Sequence, residues 1–516
     1  MKRLMLSCLV FLLVAQTGCQ IGAPAGARTV LWGSMWEPSA LNPIVAPDVV
    51  TKWMLEMVFD GVVAINDKME IIPELAESWD ISADGKTYTF HLRKGVKWQD
   101  GKDFSADDVK FTYDTIIDPK QPKTLAKTDY ALVDRIEAPD PLTVRFVLKS
   151  ANASFLSKLA VGVAPKHLLA GQDLATAGFN RKPVGTGPFK VAEWAAGQNV
   201  TLVANADYFR GRPKLDQLIW KIIPDSNVLT VQMLNGEVDG GQINNPKDLA
   251  KFKEKTNLKV YESLGANTYI GFNNEREPFT DKRVRQALNY GLDKQTIIDK
   301  ILDGQGIWST SEILAGTWAY NPNVNRYPYD PAKAKALLDE AGWVLGADGI
   351  RQKSGKPLKF VMLTNSGDKV REEIALFARQ QWRELGADMS VQFLDLNTFI
   401  NDKVLKSDFE CIFLASSVNV DPDFLSRRWS SAALTTGHNF LRWGNSQVDQ
   451  LLAQGIAVTS QTERKKIYDE IQRIIAEESP TVPIYYPKVQ WAVRADLKGI
   501  VPSPVNIFWN AEQWSF

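Results

Sequence analysis

Strand patterns and helix patterns alternate along most of this chain. Polar and apolar residues alternate over residues 87–92 and again over residues 142–148, which predicts strands with one buried face. Compact apolar runs at 218–220 and 360–363 predict strands that are buried on both faces. Strands that alternate with helices in this way indicate an α/β architecture with several sheets.

The helices carry recognisable start and stop signals. Ser105 with Asp108 three residues later is typical of a capping box, and Asp330 before Pro331 is typical of a helix N-terminus. Residues 464–478 place isoleucines at helical spacing and end before a proline. At about 150 residues per domain, the chain of 516 residues predicts two to four domains.

The N-terminus has the pattern of an export signal. Two basic residues precede an apolar run over residues 4–15, which is too short to span a bilayer of about 30 Å as a helix. Small residues follow this run, so we predict a signal peptide over residues 1–27. No later stretch reaches 18 uninterrupted apolar residues.

Two cleavage sites compete within this signal peptide. Residues 17–19, Thr-Gly-Cys, resemble the end of a bacterial lipobox, which would make Cys19 the acylated first residue of a lipoprotein. The lipobox pattern places an aliphatic residue three positions before the cysteine, where this chain has Gln16. The alternative is cleavage after Ala25-Gly26-Ala27, an A-x-A site.

Composition argues against several classes of function. The chain has 60 basic and 60 acidic residues, so it lacks the excess positive charge of a nucleic-acid-binding protein. It has three histidines, scattered along the chain, and three cysteines, so we expect no metal site, no cofactor and no disulfide scaffold. The sixteen tryptophans suit aromatic ligand sites or a core equally well.

Catalytic motifs are missing as well. Gly185-Thr186-Gly187 runs into Pro188 without the third glycine of a dinucleotide fingerprint, so we interpret it as a tight turn or hinge. Cys411 stands in an apolar run and is interpreted as a small buried hydrophobe. Carboxylate pairs are abundant, which leaves an exported hydrolase as the rival hypothesis to a binding protein that is not an enzyme.

One long block of sequence is specific enough to compare with a known family. It reads IPELAESW at 72–79, SADGKTYTFHLRKGVKWQDG at 82–101 and FSADDV at 104–109. Further matches follow in order: VGTGPFK at 184–190, NADYF at 205–209, IGFNN at 270–274, YDPAKA at 329–334 and DPD at 421–423. The chain resembles the family 5 solute-binding proteins, which are extracytoplasmic receptors of ABC importers for oligopeptides, dipeptides, nickel chelates and some oligosaccharides.

The resemblance implies a fold. It predicts a two-lobed clamshell of the type II periplasmic-binding-protein kind with an additional domain inserted into the first lobe. From the matched segments, lobe I would comprise residues 28–60, 184–271 and 497–516, the additional domain residues 61–183, and lobe II residues 272–496.

The resemblance also implies partners and location. The chain would enclose a peptide or another small polar solute between its lobes and deliver it to an ABC permease and ATPase complex. We expect a monomer in the periplasm or at the cell surface, attached to a membrane through lipid on Cys19.

Candidate ligand contacts lie in the loop after the first strand and in the segment after the strand at 410–415. Trp36 lies in the first of these, and Trp429 follows the Asp-Pro-Asp turn of the other lobe. Each tryptophan has core packing as its alternative. The full candidate set is Trp36, Ser416, Ser417, Asn419, Asp421, Trp429 and Tyr486.

The turn at Asp421-Pro422 departs from the family pattern. In the oligopeptide and dipeptide receptors, an aspartate four residues before the proline pairs with the N-terminal ammonium of the ligand. Here that position is Val418, which cannot balance a charge, and Asp421 itself suits a structural role as a cap. We therefore expect a peptide that is anchored differently or a neutral polar ligand such as an oligosaccharide.

Overall fold

The structure is a computed structural model that describes residues 26–45, 49–120, 127–436 and 438–516. The predicted lipidation at Cys19 and residues 1–25 of the signal peptide lie outside the described residues. In the described ranges, no helix is long and apolar enough to cross a membrane.

Strands and helices alternate along the chain, which confirms the predicted α/β architecture. The strands are β1 Thr29–Ser34, β2 Val63–Ile65, β3 Ile71–Pro73, β4 Ala76–Ile81, β5 Thr87–Leu92, β6 Val133–Asp140, β7 Thr143–Leu148, β8 Phe189–Ala195, β9 Asn199–Ala204, β10 Gln217–Ile222, β11 Gly240–Gln242, β12 Leu258–Leu264, β13 Thr268–Phe272, β14 Gly306–Trp308, β15 Val344–Leu345, β16 Arg351–Lys353, β17 Lys356–Pro357, β18 Lys359–Asn365, β19 Asp388–Leu394, β20 Cys411–Ala415 and β21 Thr481–Arg494.

The helices differ widely in length. They are α1 Val49–Val58, α2 Ala106–Ile117, α3 Phe155–Lys158, α4 Lys166–Leu169, α5 Ser226–Asn235, α6 Leu249–Lys253, α7 Lys282–Tyr290, α8 Lys294–Thr296, α9 Pro331–Glu340, α10 Lys369–Glu384, α11 Phe424–Trp429, α12 Ala433–Thr436, α13 Ser446–Ala457 and α14 Gln461–Glu478.

Local sequence explains several of these boundaries. Helix α9 begins at Pro331, and the side chain of Asp330 accepts a hydrogen bond from the backbone N–H of Lys333 at 2.9 Å, as the capping pattern predicts. Helix α2 begins with a capping box formed by Ser105 and Asp108. In β5 and β7 the alternating apolar side chains are buried, which confirms the predicted half-buried strands.

One large sheet runs through both lobes. In the first lobe, the strand order is β8-β9-β10-β1-β11, with β1 parallel to β10 and β11. In the second lobe, the order is β19-β18-β20-β13, with β18 parallel to β19 and β20. Strand β21 joins the two halves of this sheet.

Strand β21 belongs to both lobes. Its first part, Thr481 to Tyr485, pairs with β13, and its second part, Lys488 to Arg494, pairs with β12 and partly with β11. Strands β12 and β13 follow each other in the chain, so together they run antiparallel beside β21 across both lobes. The predicted domain boundaries stay a prediction.

The additional domain contains a four-stranded antiparallel sheet in the described residues, with the order β4-β5-β7-β6. Its core is continuous with that of the first lobe.

At the junction, Tyr208 donates a hydrogen bond to buried Asp60 at 3.0 Å, and Arg210 donates to buried Glu74 at 2.8 Å. Burial raises the pKa of both carboxyl groups, because one guanidinium cannot fully compensate two desolvated carboxylates.

The Gly185-Thr186-Gly187 segment is a close packing point at the same junction. A Cβ atom on Gly185 would lie 1.8 Å from the backbone oxygen of Val58 at the end of α1. The N–H of Gly187 donates to that oxygen at 2.9 Å, and Thr186 Oγ1 donates to Asp60 at 2.7 Å. The segment therefore lets two backbones touch and bends the chain at residues 186–188.

We predict that Gly185→Ala destabilises the protein, because the new methyl group would collide with backbone rather than with a flexible side chain. The expected loss is about 2–4 kcal/mol in the free energy of unfolding. The measurement is the thermal unfolding midpoint by circular dichroism. Gly178→Ala is the control, since a Cβ there meets no atom within 4 Å. Equal midpoints for the two variants would contradict the packing argument.

Candidate functional site

A cavity of about 440 Å³ lies between the first lobe, the additional domain and the second lobe. This volume is in the range of small-molecule sites in proteins. Three segments line it: residues 43–44 and 52–59 before and along α1, residues 154–162 around α3, and residues 418–427 after β20. Ile65, Asp129 and Tyr130 complete the lining.

Helical spacing explains which side chains reach the cavity. The lining residues of α1 are Lys52, Leu55 and Glu56, which share one helix face, and Phe59 directly follows the helix. Around α3, the lining residues are 154, 157, 158 and 160–162, so the helix and the loop after it both line the cavity. Each of the two segments contributes one lysine, Lys52 or Lys158.

The segment 418–427 is held in place by a buried ion pair. Arg464 donates to both carboxylate oxygens of Asp421, at 2.8 and 2.7 Å, and both side chains are largely buried. The same carboxylate accepts the backbone N–H of Asp423 at 2.9 Å. Although Asp421 borders the cavity, its carboxylate is committed to positioning the turn, as expected for a structural cap.

Polar contacts join the two sides of the cavity directly. Ser154 of the additional domain donates to Asp423 of the second lobe at 2.8 Å. Arg427 pairs with Asp129 at 3.1 Å, and the N–H of Ala153 donates to the carbonyl of Ile456 at 2.8 Å. The second lobe is therefore closed against the additional domain at this edge.

The remaining charges of the cavity come from the first lobe and the additional domain. Lys52 and Lys158 are among the lining residues. Glu56 accepts a hydrogen bond from Asn506 at 2.6 Å. The Glu56 residue is accessible from the cavity. Desolvation of its carboxyl group by the surrounding protein nevertheless raises the pKa of Glu56 to about 7.

A second cavity of about 300 Å³ lies on the other side of the same segment. It shares Asn419, Phe424 and Arg427 with the first cavity and adds Ser416 and Ser417. Ser416 is fixed by its N–H, which donates to the carbonyl of Asn267 between β12 and β13 at 2.8 Å.

The cavity thus lies between two lobes that are joined by two strand paths. The chain also matches known proteins. The family model for bacterial extracellular solute-binding proteins, family 5 Middle, matches residues 70–435. The chain belongs to this family. The resemblance inferred from the motifs is thereby confirmed.

Relatives and solved structures match over most of their length. The oligopeptide-binding protein AppA of Bacillus subtilis is 32% identical over 505 residues, which is 96% of this chain and 92% of that protein. Its structure in complex with a nonapeptide has a TM-score of 0.79, with 95% of this chain and 98% of that chain covered at 31% identity. The structure of NikZ from Campylobacter jejuni in complex with Ni(L-His) has a TM-score of 0.81, with 31% identity and coverages of 95% and 99%. The predicted two-lobed periplasmic-binding-protein fold is confirmed by these likenesses.

For this family 5 chain, four of the predicted site residues lie at the two cavities. Asn419 and Asp421 line the larger cavity, and Ser416, Ser417 and Asn419 line the smaller one. Val418, the position of the missing aspartate, also lines the larger cavity. The role of these residues in binding stays a prediction.

Two predicted residues are corrected to core positions. Trp429 is 1% exposed and packs edge to face against Trp443, because α11 turns its apolar side inward. Tyr486 is fully buried, and its hydroxyl donates to the carbonyl oxygens of Ser311 and Ile313 at 2.7 and 2.6 Å. Trp36 is 46% exposed in the loop after β1, but it does not line either cavity in the described chain.

Sequence reasoning missed several polar residues that line the larger cavity. Lys52, Glu56, Ser154 and Lys158 carry no motif of their own. The spacing of the α1 face was visible in the sequence, but it does not distinguish a cavity wall from a solvated helix face. Only the tertiary structure brings α1 and α3 to one cavity.

We predict that Asp421→Ala lowers stability, because it leaves the buried guanidinium of Arg464 without a counter-charge. Loss of one partner of such a pair costs about 3–5 kcal/mol. Glu470→Ala is the matched control: it removes the partner of the exposed Arg473, and such surface pairs contribute about 1 kcal/mol or less. The measurement is the midpoint of urea denaturation. Midpoints that shift equally in both variants would contradict the assigned role of Asp421.

Proposed function

We propose that this family 5 solute-binding protein takes up a peptide outside the cytoplasm and delivers it to the permease and ATPase of an ABC importer. The observation that carries the proposal is the 440 Å³ cavity with walls from both lobes and the additional domain. A solute held there contacts both lobes at once, so its binding favours the closed arrangement. The names of the Bacillus subtilis relative and of a dipeptide-binding protein of Escherichia coli, 29% identical over 520 residues, support a peptide.

Closure has a structural basis in the strand paths. Two strand paths cross from one lobe to the other. One crosses at residues 265–267, between β12 and β13, and the other crosses at residues 486–487, within β21. Contacts such as the one between Ser154 and Asp423 form only when the lobes meet. We infer that the solute and these contacts together stabilise the closed state, which the permease would recognise.

The oligosaccharide alternative has less support. A sugar would be expected to stack on tryptophan, but none of the described residues that line the larger cavity is a tryptophan. The aromatic side chains in its lining are Phe59, Tyr130 and Phe424. A peptide needs hydrogen-bonding groups and apolar contacts, and the serines, Asn419 and these rings supply both.

Three further features belong to this proposal. We infer that the chain binds its solute without turning it over, so it is not an enzyme. We also infer that the mature protein is a monomer, held at a membrane through acylated Cys19 in the periplasm or at the cell surface. Because a single acyl chain binds membranes only marginally, the anchor we infer is the multiply acylated lipoprotein N-terminus.

The N-terminal ammonium of the peptide is not the main anchor in this proposal. Val418 occupies the position of the ammonium-binding aspartate and lines the larger cavity. The nearby carboxylate of Asp421 is already paired with Arg464. A buried ammonium at this place would therefore find neither an aspartate at position 418 nor a free carboxylate on Asp421.

We predict that N-acetylation of a peptide ligand changes its affinity by less than about threefold, since the ammonium loses no ion pair in this site. Isothermal titration calorimetry with trialanine and N-acetyl-trialanine measures this. Val418→Asp is the matched variant, in which the free peptide should gain affinity over the acetylated one. A loss of affinity of about tenfold or more on acetylation in the natural protein would contradict the prediction.

A further inference from the structure

We propose that the second lobe holds a separate binding site for one small monovalent anion of chloride size, built around the ammonium group of Lys294. The site is a cavity of about 30 Å³ between α7, the loop after β14 and α14. No described residue lines both this cavity and the 440 Å³ cavity, so the site is independent of the proposed solute. Its volume accommodates one or two water-sized groups, which suits a single small ion and excludes a peptide.

The ammonium group of Lys294 is held at this cavity by neutral oxygen atoms. Lys294 is 1% exposed, and its Nζ atom donates to Asn289 Oδ1 at 2.6 Å and to the carbonyl oxygen of Tyr327 at 3.2 Å. Lys294 and both of the residues that accept these bonds line the cavity. Because an ammonium group has three N–H donors, one donor remains for a further acceptor.

Among the described residues, no carboxylate balances the charge of Lys294. Glu312 is the one acidic residue in the described lining of this cavity, and its carboxylate is paired with buried Arg428 at 3.3 Å. Burial lowers the pKa of Lys294 to about 7, because water is excluded from the ammonium group. A desolvated cation without a counter-charge is costly, and a bound anion would supply that counter-charge through a charge-assisted hydrogen bond.

Two other donor groups beside Lys294 also lack an acceptor within the part of the chain that the structure describes. The indole Nε1 of Trp308 is buried without a hydrogen-bond partner, and Lys294 Nζ lies 5.4 Å from the centroid of that ring. Arg326, which lines the cavity, lies 5.6 Å from the same centroid and pairs with no described carboxylate within 4.0 Å. Donors therefore outnumber acceptors here, and a water molecule would leave the positive charge unbalanced.

The test compares the thermal unfolding midpoint in sodium chloride with that in sodium gluconate at the same ionic strength. Gluconate is too large for a cavity of about 30 Å³, so chloride should raise the midpoint by about 2–4 °C relative to gluconate. Lys294→Met should abolish this difference, because it removes the charge and keeps an unbranched side chain. Lys300→Met is the control, since it makes the same substitution at an exposed residue outside the cavity and should keep the difference.

Crystals of the natural protein soaked in sodium bromide locate the ion by anomalous diffraction. The expected result is a bromide peak in contact with Lys294 Nζ. Equal midpoints in chloride and gluconate would overturn the site, and so would a chloride effect that persists unchanged in Lys294→Met. A bromide map without a peak at Lys294 would overturn it as well, and this map decides the question by itself if Lys294→Met does not fold.

Discussion

The backbone pairing of β21 with strands of both lobes is the constraint on which the cavity depends. This strand has fourteen residues and pairs with β13 at one end and with β11 and β12 at the other. Because β12 and β13 run beside it, the lobes are joined by two adjacent strand paths rather than by a loose linker. Such a connection lets the two lobes bend relative to each other while it keeps the two cavity walls aligned.

Buried charged side chains also hold segments of the protein in place. Glu74 with Arg210 fixes the additional domain against the first lobe, and Asp421 with Arg464 fixes the turn of the second lobe. Each pair is costly to desolvate and costly to break, so each holds its segment in one arrangement. The walls of the cavity are therefore positioned by groups that the solute does not need to contact.

Local patterns predicted the elements of this fold better than they predicted the site. Helix caps at Asp330 and Ser105 and the alternation in β5 depend only on neighbouring residues. These features can therefore be predicted from the sequence. The burial of Trp429 could not be read in this way, because α11 is a short helix whose inward face is decided by Trp443 and the surrounding core. Lys52 and Lys158 meet at one cavity through contacts between domains, which no local pattern encodes.

The central claim is that the cavity encloses a small solute and releases it unchanged. Mass spectrometry of the material released on denaturation of the natively purified protein tests this claim most directly. The account predicts one small solute per chain, of intact mass, that fits a cavity of about 440 Å³. A protein that carries no solute, and that converts added peptides into fragments on incubation, would contradict it.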